Sequence, residues 1–182
     1  MAIFSDAELQ ELSELQKRYG APMATLLPVL WRIQEKRGWI DDEGMETAAA
    51  VCGVSKSHVQ GVVSFYTMFF EVPMGRFHMQ VCTNVSCMLC GGEKLFDEMR
   101  AKLGIENHGR TSDGLFSLEE VECMGACGGA PMMAVNEIFH ERATSEEAAQ
   151  IIDSIRATGE APTPKFVTQL PELSEAVNRG VV

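Results

Sequence analysis

Four helices are predicted in residues 1–73 from the spacing of their apolar residues and from the cap residues between them. Ser5 to Glu8 has the form of a capping box, in which a serine and a glutamate satisfy each other's free helix-start amides. Gly20 is predicted to end this first helix in a left-handed conformation. The other three helices are predicted over residues 23–36, over residues 43–52 and from about Ser55 onward. The pattern indicates an N-terminal helical bundle.

The apolar period changes after Gly75. Alternating apolar residues predict strands, and longer amphipathic stretches predict helices. In chain order the expected elements are a strand over 77–81, a helix over 89–103, a strand over 115–121, a hairpin of 132–135 with 138–140 around Asn136 and Glu137, and a helix over 144–159. This β-α-β-β-β-α order is typical of a sandwich of thioredoxin type, so the fold class is α+β.

The chain therefore divides into three predicted parts. Residues 1–73 form the helical bundle, and residues 74–159 form the thioredoxin-like domain. Residues 160–182 contain Pro162, Pro164 and Pro171, and we expect an extended tail there that either lies over a partner or is mobile.

Composition and charge narrow the classes of partner. The 182 residues carry a formal net charge of −11, which repels nucleic acids and anionic lipid, so a protein partner is expected. No apolar run has the length of a membrane span, and the amino terminus lacks the pattern of a signal peptide. We therefore expect a cytoplasmic protein without direct membrane insertion.

Four of the six cysteines form two short pairs, each directly after a predicted strand. Cys82 and Cys87 are spaced C-x4-C, and Cys123 and Cys127 are spaced C-x3-C. If the two strands are neighbours, the four sulfur atoms converge, and four thiolates are the ligand set of a [2Fe–2S] cluster or of a zinc ion. The many glycines around the pairs let backbone amides approach sulfur, which favours the cluster.

Two other arrangements use Cys90. The spacing Cys82-x4-Cys87-x2-Cys90 resembles the start of a plant-type ferredoxin ligand set, and Cys87 with Cys90 resembles a thioredoxin dithiol. Both leave the C-x3-C pair half used. The simpler interpretations are that Cys90 faces solvent and that Cys52 is a small core residue.

Three segments resemble those of the NuoE subunits of respiratory complex I (NADH:quinone oxidoreductase). They are Val81–Leu89, Val121–Pro131 and Gly61–Phe69. The resemblance implies a thioredoxin-like [2Fe–2S] ferredoxin domain behind an N-terminal helical bundle. It also implies that the cluster ligands are Cys82, Cys87, Cys123 and Cys127, with no ligand role for Cys90.

The resemblance implies an electron-transfer subunit with no catalytic residue of its own. No G-x-G-x-x-G motif is present in this chain, and the resemblance implies that FMN and NADH are bound by a partner subunit similar to NuoF. The [2Fe–2S] cluster would take one electron from that FMN, within a complex on the inner face of the cell membrane. Phe65, Tyr66, Phe69 and Phe70 are either the docking element or core residues.

Two alternatives have different consequences. The equivalent subunit of an NAD-linked hydrogenase or formate dehydrogenase would share the same features. An iron–sulfur transcription factor is suggested by a helix-turn-helix-like stretch from Ala48 to Val59, but the acidic charge and the few basic residues there oppose it.

Overall fold

A computed structural model describes residues 3–136 and 138–164 of the chain. Contacts between Cα atoms divide the chain into two compact units, Met1–Met74 and Gly75–Val182. Residues 160–164 have no regular secondary structure, and the rest of the predicted tail lies outside the described residues.

The first unit is a bundle of helices, as predicted. Its elements are α1 (Asp6–Gln16), a 3₁₀ helix (Pro22–Thr25), α2 (Leu26–Arg37), α3 (Asp42–Cys52) and α4 (Lys56–Phe65). The capping box at α1 is confirmed, with the Ser5 backbone amide donating to the Glu8 carboxylate at 2.8 Å. Gly53 ends α3 in the left-handed conformation at φ +65°, as expected from the sequence.

The predicted role of Gly20 is wrong. Helix α1 ends at Gln16, and its C-cap, Lys17, is right-handed. The chain tightens there through backbone bonds from Arg18 to Leu15 and from Tyr19 to Gln16, which satisfy the last carbonyls before Gly20 is reached.

Aliphatic side chains fill the core of the first unit. Aliphatic residues that are almost completely buried include Leu12, Val29, Leu30, Ile33, Ile40, Ala48 and Val59. The aromatic residues near the end of the unit divide into two groups. Phe69 is buried and packs edge-on against Trp31 at 5.6 Å, whereas Phe65 and Tyr66 are exposed. Phe69 is therefore a core residue, and Phe65 and Tyr66 remain available on the surface.

The second unit is built on a five-stranded mixed sheet with the order β2-β3-β1-β4-β5. The strands are β1 (Phe77–Cys82), β2 (Gly109–Arg110), β3 (Phe116–Val121), β4 (Met133–Val135) and β5 (Ile138–His140). The helices are α5 (Val85–Leu89), α6 (Gly92–Leu103) and α7 (Ser145–Thr158), and a 3₁₀ helix covers Cys127–Gly129. Strands β1 and β3 are parallel, and the other pairs are antiparallel.

The predicted α+β class is confirmed, and the predicted strand and helix order holds with two additions. The short helix α5 precedes α6, so the predicted helix over 89–103 begins only at Gly92. Strand β2 has two residues, which is too short to show an apolar period. The hairpin of β4 and β5 is present, with Asn136 at φ +48°, while Glu137 lies outside the described residues.

The two faces of the sheet differ in character. One face packs on α6 and α7 in a core that includes Met79, Leu118, Ile152 and Ile155. The other face carries polar residues of β1 and β3. The His78 ring bonds to the Glu119 carboxylate and the Ser117 hydroxyl, both at 2.9 Å. Within the part of the chain that the structure describes, every helix is too short or too polar to cross a bilayer.

Candidate metal centre

The first cysteine pair lies where β1 gives way to α5. Cys82 is the last residue of β1, and its backbone amide donates to the carbonyl of Met132 at 3.0 Å. Its thiol donates to the Glu122 carbonyl at 3.6 Å. Asn84 then begins α5 as its N-cap, and this short helix turns Cys87 back toward Cys82. The pair is therefore fixed by strand and helix hydrogen bonds.

The second pair lies on the loop after β3. Cys123 follows the end of β3 at Val121, and Cys127 begins the 3₁₀ helix. Gly125, between them, has φ +73°, a conformation that favours glycine, and its amide donates to the Cys123 sulfur at 3.3 Å. An amide aimed at sulfur was expected from the glycine content, and this bond is such a case.

The sheet brings the two loops side by side. Strands β1 and β3 are parallel neighbours, and Cys82 is paired in register with Val121. Because parallel strands end at the same edge of a sheet, the two cysteine loops leave it together. The prediction that the two strands are neighbours is confirmed.

An apolar cluster lies beneath the first pair. Cys82, Cys87 and Met132 are buried together, with exposed fractions of 3%, 2% and 0%. Partly buried residues complete its wall, namely Val121, Met124, Ala126 and Ala130. The cluster excludes water from one side of the candidate site, while Cys123 and Cys127 are exposed on the other.

The electrostatics of Cys87 reflect this burial. Burial and a hydrogen bond with Cys82 raise the pKa of the Cys87 thiol to about 11, and a hydrogen bond from the Met132 backbone amide opposes the rise. The charges of Cys82 and Cys127 also raise this pKa, so these sulfur atoms lie within electrostatic reach of Cys87. Without a metal, Cys87 is therefore a neutral thiol at neutral pH, and a metal that binds there must displace its proton.

The four predicted cysteines lie at one edge of the sheet, and their contacts with one another differ. Cys82 and Cys87 are in contact, and Cys127 acts on Cys87 electrostatically. Cys123 is on the same loop as Cys127, with Gly125 as the partner of its sulfur. Among the described residues, no three Cys, His, Asp or Glu side chains are already grouped closely enough to hold a single metal ion.

The donor set fits a two-iron cluster better than a zinc ion. A structural zinc ion requires four ligands around one centre, with Zn–S distances of about 2.3 Å. A [2Fe–2S] cluster takes two thiolates on each of two irons, so its four sulfur ligands need not share one centre. Two cysteine pairs on neighbouring loops, with an amide already bonded to Cys123, match the second requirement.

One residue that supports the site was not identified from the sequence. Met132 was expected only as the start of a strand, but its side chain lies beneath the cysteines and its backbone carbonyl accepts from the Cys82 amide. Its only sequence signal was its nearness to the second motif, because long-range pairing creates the contact. Gly92 was among the glycines expected to allow close approach near the cysteines, and an added Cβ there would lie 2.5 Å from the Cys82 carbonyl oxygen.

The other two cysteines occupy the positions expected for residues outside the site. Cys90 is exposed at the end of α5. Cys52 is buried in the core of the first unit, where its thiol lies 3.9 Å from the Thr25 hydroxyl and burial raises its pKa.

Comparison with known proteins supports a [2Fe–2S] cluster as the cofactor. The sequence model of the thioredoxin-like [2Fe–2S] ferredoxin family matches residues 12–156. The chain is 37% identical over 148 residues to an NADH-quinone oxidoreductase subunit of Rhizobium meliloti (strain 1021), and the match covers 81% of this chain and 88% of the relative. It is 41% identical over 135 residues to NADH-quinone oxidoreductase subunit 2 of Thermus thermophilus, covering 74% and 75% of the two chains.

A solved structure shows the same fold at lower identity. A chain of an NAD⁺-reducing [NiFe]-hydrogenase in the air-oxidized state superposes with a TM-score of 0.62 at 21% identity. The match covers 71% of this chain and 23% of the hydrogenase chain. The relatives at higher identity and the family match decide the assignment: the chain belongs to the thioredoxin-like [2Fe–2S] ferredoxin family.

Proposed function

We propose that this protein is the one-electron-transfer subunit of an NADH:quinone oxidoreductase, with a [2Fe–2S] cluster on Cys82, Cys87, Cys123 and Cys127. The observation that carries the proposal is the pair of cysteine loops at one edge of the sheet, with strands β1 and β3 in parallel register beneath them. Membership of the ferredoxin family supports the cofactor. When bound, the cluster accepts and releases one electron at a time.

The chain's own residues tune this centre. The backbone amide of Gly125 donates to the Cys123 sulfur at 3.3 Å, and the backbone of Met132 lowers the pKa of the Cys87 thiol. Amides aimed at ligand sulfur atoms stabilise added negative charge and raise the reduction potential. The side chain of Met132 excludes water below the first pair, which lowers the local dielectric and opposes the same charge. The potential therefore depends on the balance between these two effects.

The partner is proposed from the chemistry that the chain lacks. No dinucleotide-binding motif is present in the sequence, and hydride transfer from NADH requires an acceptor of two electrons such as FMN. We therefore place FMN and NADH in a NuoF-like partner subunit, within a complex held at the inner face of the cell membrane. The curated relatives are subunits of NADH-quinone oxidoreductases, which supports this choice over the equivalent subunit of a hydrogenase or formate dehydrogenase.

Spectroscopy of the anaerobically purified protein tests the cofactor. We expect two iron and two sulfide per chain and an S = 1/2 EPR signal after reduction with dithionite. A colourless protein that contains zinc would contradict the proposal.

Reconstitution with the flavin subunit tests the assembly. NADH should drive reduction of a one-electron dye by the flavin subunit, and without dithionite the EPR signal of this chain should appear only when both subunits and NADH are present. An EPR signal that NADH generates without the flavin subunit would contradict the proposed division of labour.

A further inference from the structure

Three arginines gather at the end of the second unit's sheet that lies opposite the cysteines. Arg76 directly precedes β1, Arg110 ends β2, and Arg156 lies in the last turn of α7. Each is exposed to solvent. Since β1 spans six residues, about 20 Å separates this end of the strand from Cys82. We call Arg76, Arg110 and Arg156 the arginine patch.

Local contacts hold Arg76 and Arg110 at the turn that contains Gly114. The backbone amide of Arg76 donates to the Gly114 carbonyl at 3.1 Å, and a Cβ added at Gly114 would lie 2.5 Å from an Nη atom of Arg110. The Arg76 guanidinium lies 5.2 Å from the ring centre of its neighbour Phe77.

The third guanidinium is held on the adjacent ring. Arg156 lies 5.7 Å from the ring centre of Phe116, and the Phe77 and Phe116 rings are themselves 6.2 Å apart. Two of the three guanidiniums are thus seated on neighbouring aromatic rings, where cation–π attraction limits their motion.

The patch keeps its positive charge in an otherwise acidic chain. Several other cations form ion pairs at 4 Å or less, among them Arg32, Lys36, Arg37, Lys56, Arg100 and Lys102. Among the described residues, no carboxylate forms such a pair with Arg76, Arg110 or Arg156.

Two carboxylates are near the patch, and one of them is already hydrogen-bonded within its own turn. Asp113 accepts hydrogen bonds from the Thr111 hydroxyl and the Leu115 amide, which lower its pKa, and the charge of Arg156 lowers it further. Glu160 follows the end of α7 in the sequence and is exposed. Three guanidiniums against these two carboxylates leave the patch positive, while the whole chain has a net charge of −11.

We propose that the arginine patch is a docking site for an acidic segment of a partner protein. Guanidinium groups bind carboxylates through two parallel hydrogen bonds, and side chains already ordered on aromatic rings lose less entropy when they do so. The chain is acidic as a whole, so an extended anionic surface such as nucleic acid or a membrane is repelled, whereas a short acidic segment can contact the patch alone. That this partner is another subunit of the same complex rests on the proposed function. The binding of carboxylates by the three arginines does not depend on it.

Because the arginine patch is far from the cysteines, its proposed role is structural. Electron transfer requires a partner at the cysteine loops, about 20 Å away along β1. Docking at the patch would therefore anchor the subunit in its assembly without touching the electron path. Substitutions in the patch should leave the cluster unchanged.

A peptide-binding experiment on the full-length, cluster-loaded protein tests the proposal. The probe is a fluorescent hexaglutamate peptide at low ionic strength, with hexalysine, inorganic phosphate and phosphatidylglycerol vesicles as comparisons. Replacing all three arginines (R76Q/R110Q/R156Q) should weaken hexaglutamate binding about tenfold, because three exposed ion pairs are lost. Binding should also weaken with added salt, since the Debye length falls to about 10 Å at 0.1 M.

A matched control removes the same charge elsewhere. The variant R18Q/R32Q/R100Q lowers the positive charge by the same amount at arginines outside the patch. It should keep most of the hexaglutamate affinity, and both variants should keep the EPR signal of the unsubstituted protein. Equal loss in the two variants, no binding by the unsubstituted protein, or preference for phosphate or the vesicles would overturn the proposal. Loss of the EPR signal in both the unsubstituted and variant proteins would count against the proposed function, not against the patch.

Discussion

The two cysteine pairs reach the same edge of the sheet under different constraints. Cys82 and Cys87 are buried above Met132, on a strand end and a capped helix. Cys123 and Cys127 are exposed on a loop whose conformation depends on Gly125. The first pair is thus positioned by the fold itself, whereas the second is positioned by a loop with few buried contacts.

This difference separates two roles that cysteines have at a metal centre, namely packing in the folded protein and ligation of the cluster. For the first pair, packing and ligation act on the same side chains, so a substitution there should affect both the stability of the apo-protein and the cluster. For the second pair, exposed side chains contribute little to stability. A substitution there should affect the cluster alone. Both tryptophans, Trp31 and Trp39, are in the first unit, so their fluorescence provides an internal control for effects confined to the second.

Serine substitutions of the ligands should produce the largest effects, and their effect on the stability of the apo-protein should differ between the two pairs. Cys87→Ser and Cys127→Ser should each abolish the EPR signal, because each removes a thiolate from the cluster. Only Cys87→Ser should also destabilise the apo-protein, by about 1–3 kcal/mol, since it puts a hydroxyl into an apolar cluster. Urea unfolding followed by circular dichroism measures the difference. Equal stability of the two apo-proteins would contradict the comparison.

Met132→Ala tests whether packing beneath the first pair acts independently of ligation. The side chain is fully buried, and its truncation leaves a cavity that should cost about 2–5 kcal/mol in the free energy of unfolding. Met124→Ala is the matched control, because Met124 is only partly buried in the same cluster and should cost less. Thermal unfolding of the apo-proteins checks both values. A smaller loss for Met132→Ala than for Met124→Ala would show that the first pair is not held by this packing.

Gly125→Ala tests the second loop in the same way. A residue with a Cβ in the left-handed region costs about 1–2 kcal/mol, which should weaken the loop that carries Cys123 and Cys127. Because this exposed loop can relax when no cluster holds it, we expect faster loss of the cluster to an iron chelator and only a small change in the unfolding of the apo-protein. Gly128→Ala is the control, since that glycine has neither a positive φ nor an atom within 4 Å of an added Cβ. Identical chelation rates in the two variants would remove the assigned role of Gly125.

The sequence predicted the features that depend on local pattern. The capping box at Ser5 follows from a four-residue motif, and the placement of each cysteine pair after a strand follows from apolar alternation. The burial of one pair and the exposure of the other could not be predicted. That difference arises because β4 pairs with β1 and brings Met132 beneath Cys82, a contact between residues far apart in the chain.

Short and irregular elements also could not be predicted from the sequence. Helix α5 has only five residues, so its apolar spacing carries no period, and Asn84 as its N-cap was the single available signal. At Gly20 a suitable local signal was present but unused. Glycine is suited to ending a helix, but α1 ends at Gln16, and backbone bonds from Arg18 and Tyr19 close its last turn before Gly20. Local propensity therefore predicted the elements well, and tertiary pairing determined the environment of each ligand.

The pH dependence of thiol alkylation in the apo-protein tests the burial of Cys87 in the first pair. Thiolates, not thiols, react with iodoacetamide, and the pKa of Cys87 is raised to about 11. At pH 8 its thiolate fraction should be about two hundred-fold below that of an ordinary cysteine, and its reaction should quicken until the pH passes about 11. Mass spectrometry of each alkylated peptide measures the rates, with exposed Cys90 as the reference. A Cys87 that reacts as fast as Cys90 at pH 8 would contradict the burial of the first pair.

The same raised pKa has a consequence for the stability of the apo-protein. The folded state holds the Cys87 proton up to about pH 11, whereas the unfolded state releases it near pH 8.5. Between these values the folded state binds more protons, so its stability should fall as the pH rises. The contribution is complete below about pH 8.5 and is lost above about pH 11. In Cys87→Ser this part of the pH dependence should be absent.

Cys90→Ser should have the smallest effect, and that makes it the sharpest test of the ligand set. Cys90 is exposed at the end of α5, three residues from buried Cys87, and its backbone amide bonds to carbonyls of the same helix. Serine preserves that backbone and the exposed polar surface, so the unfolding free energy should change by less than about 0.5 kcal/mol. Iron content and the EPR spectrum should be those of the unsubstituted protein. Loss of the cluster would instead place Cys90 among the ligands, in the plant-type spacing with Cys82 and Cys87, and would leave the exposed C-x3-C pair supplying one ligand instead of two.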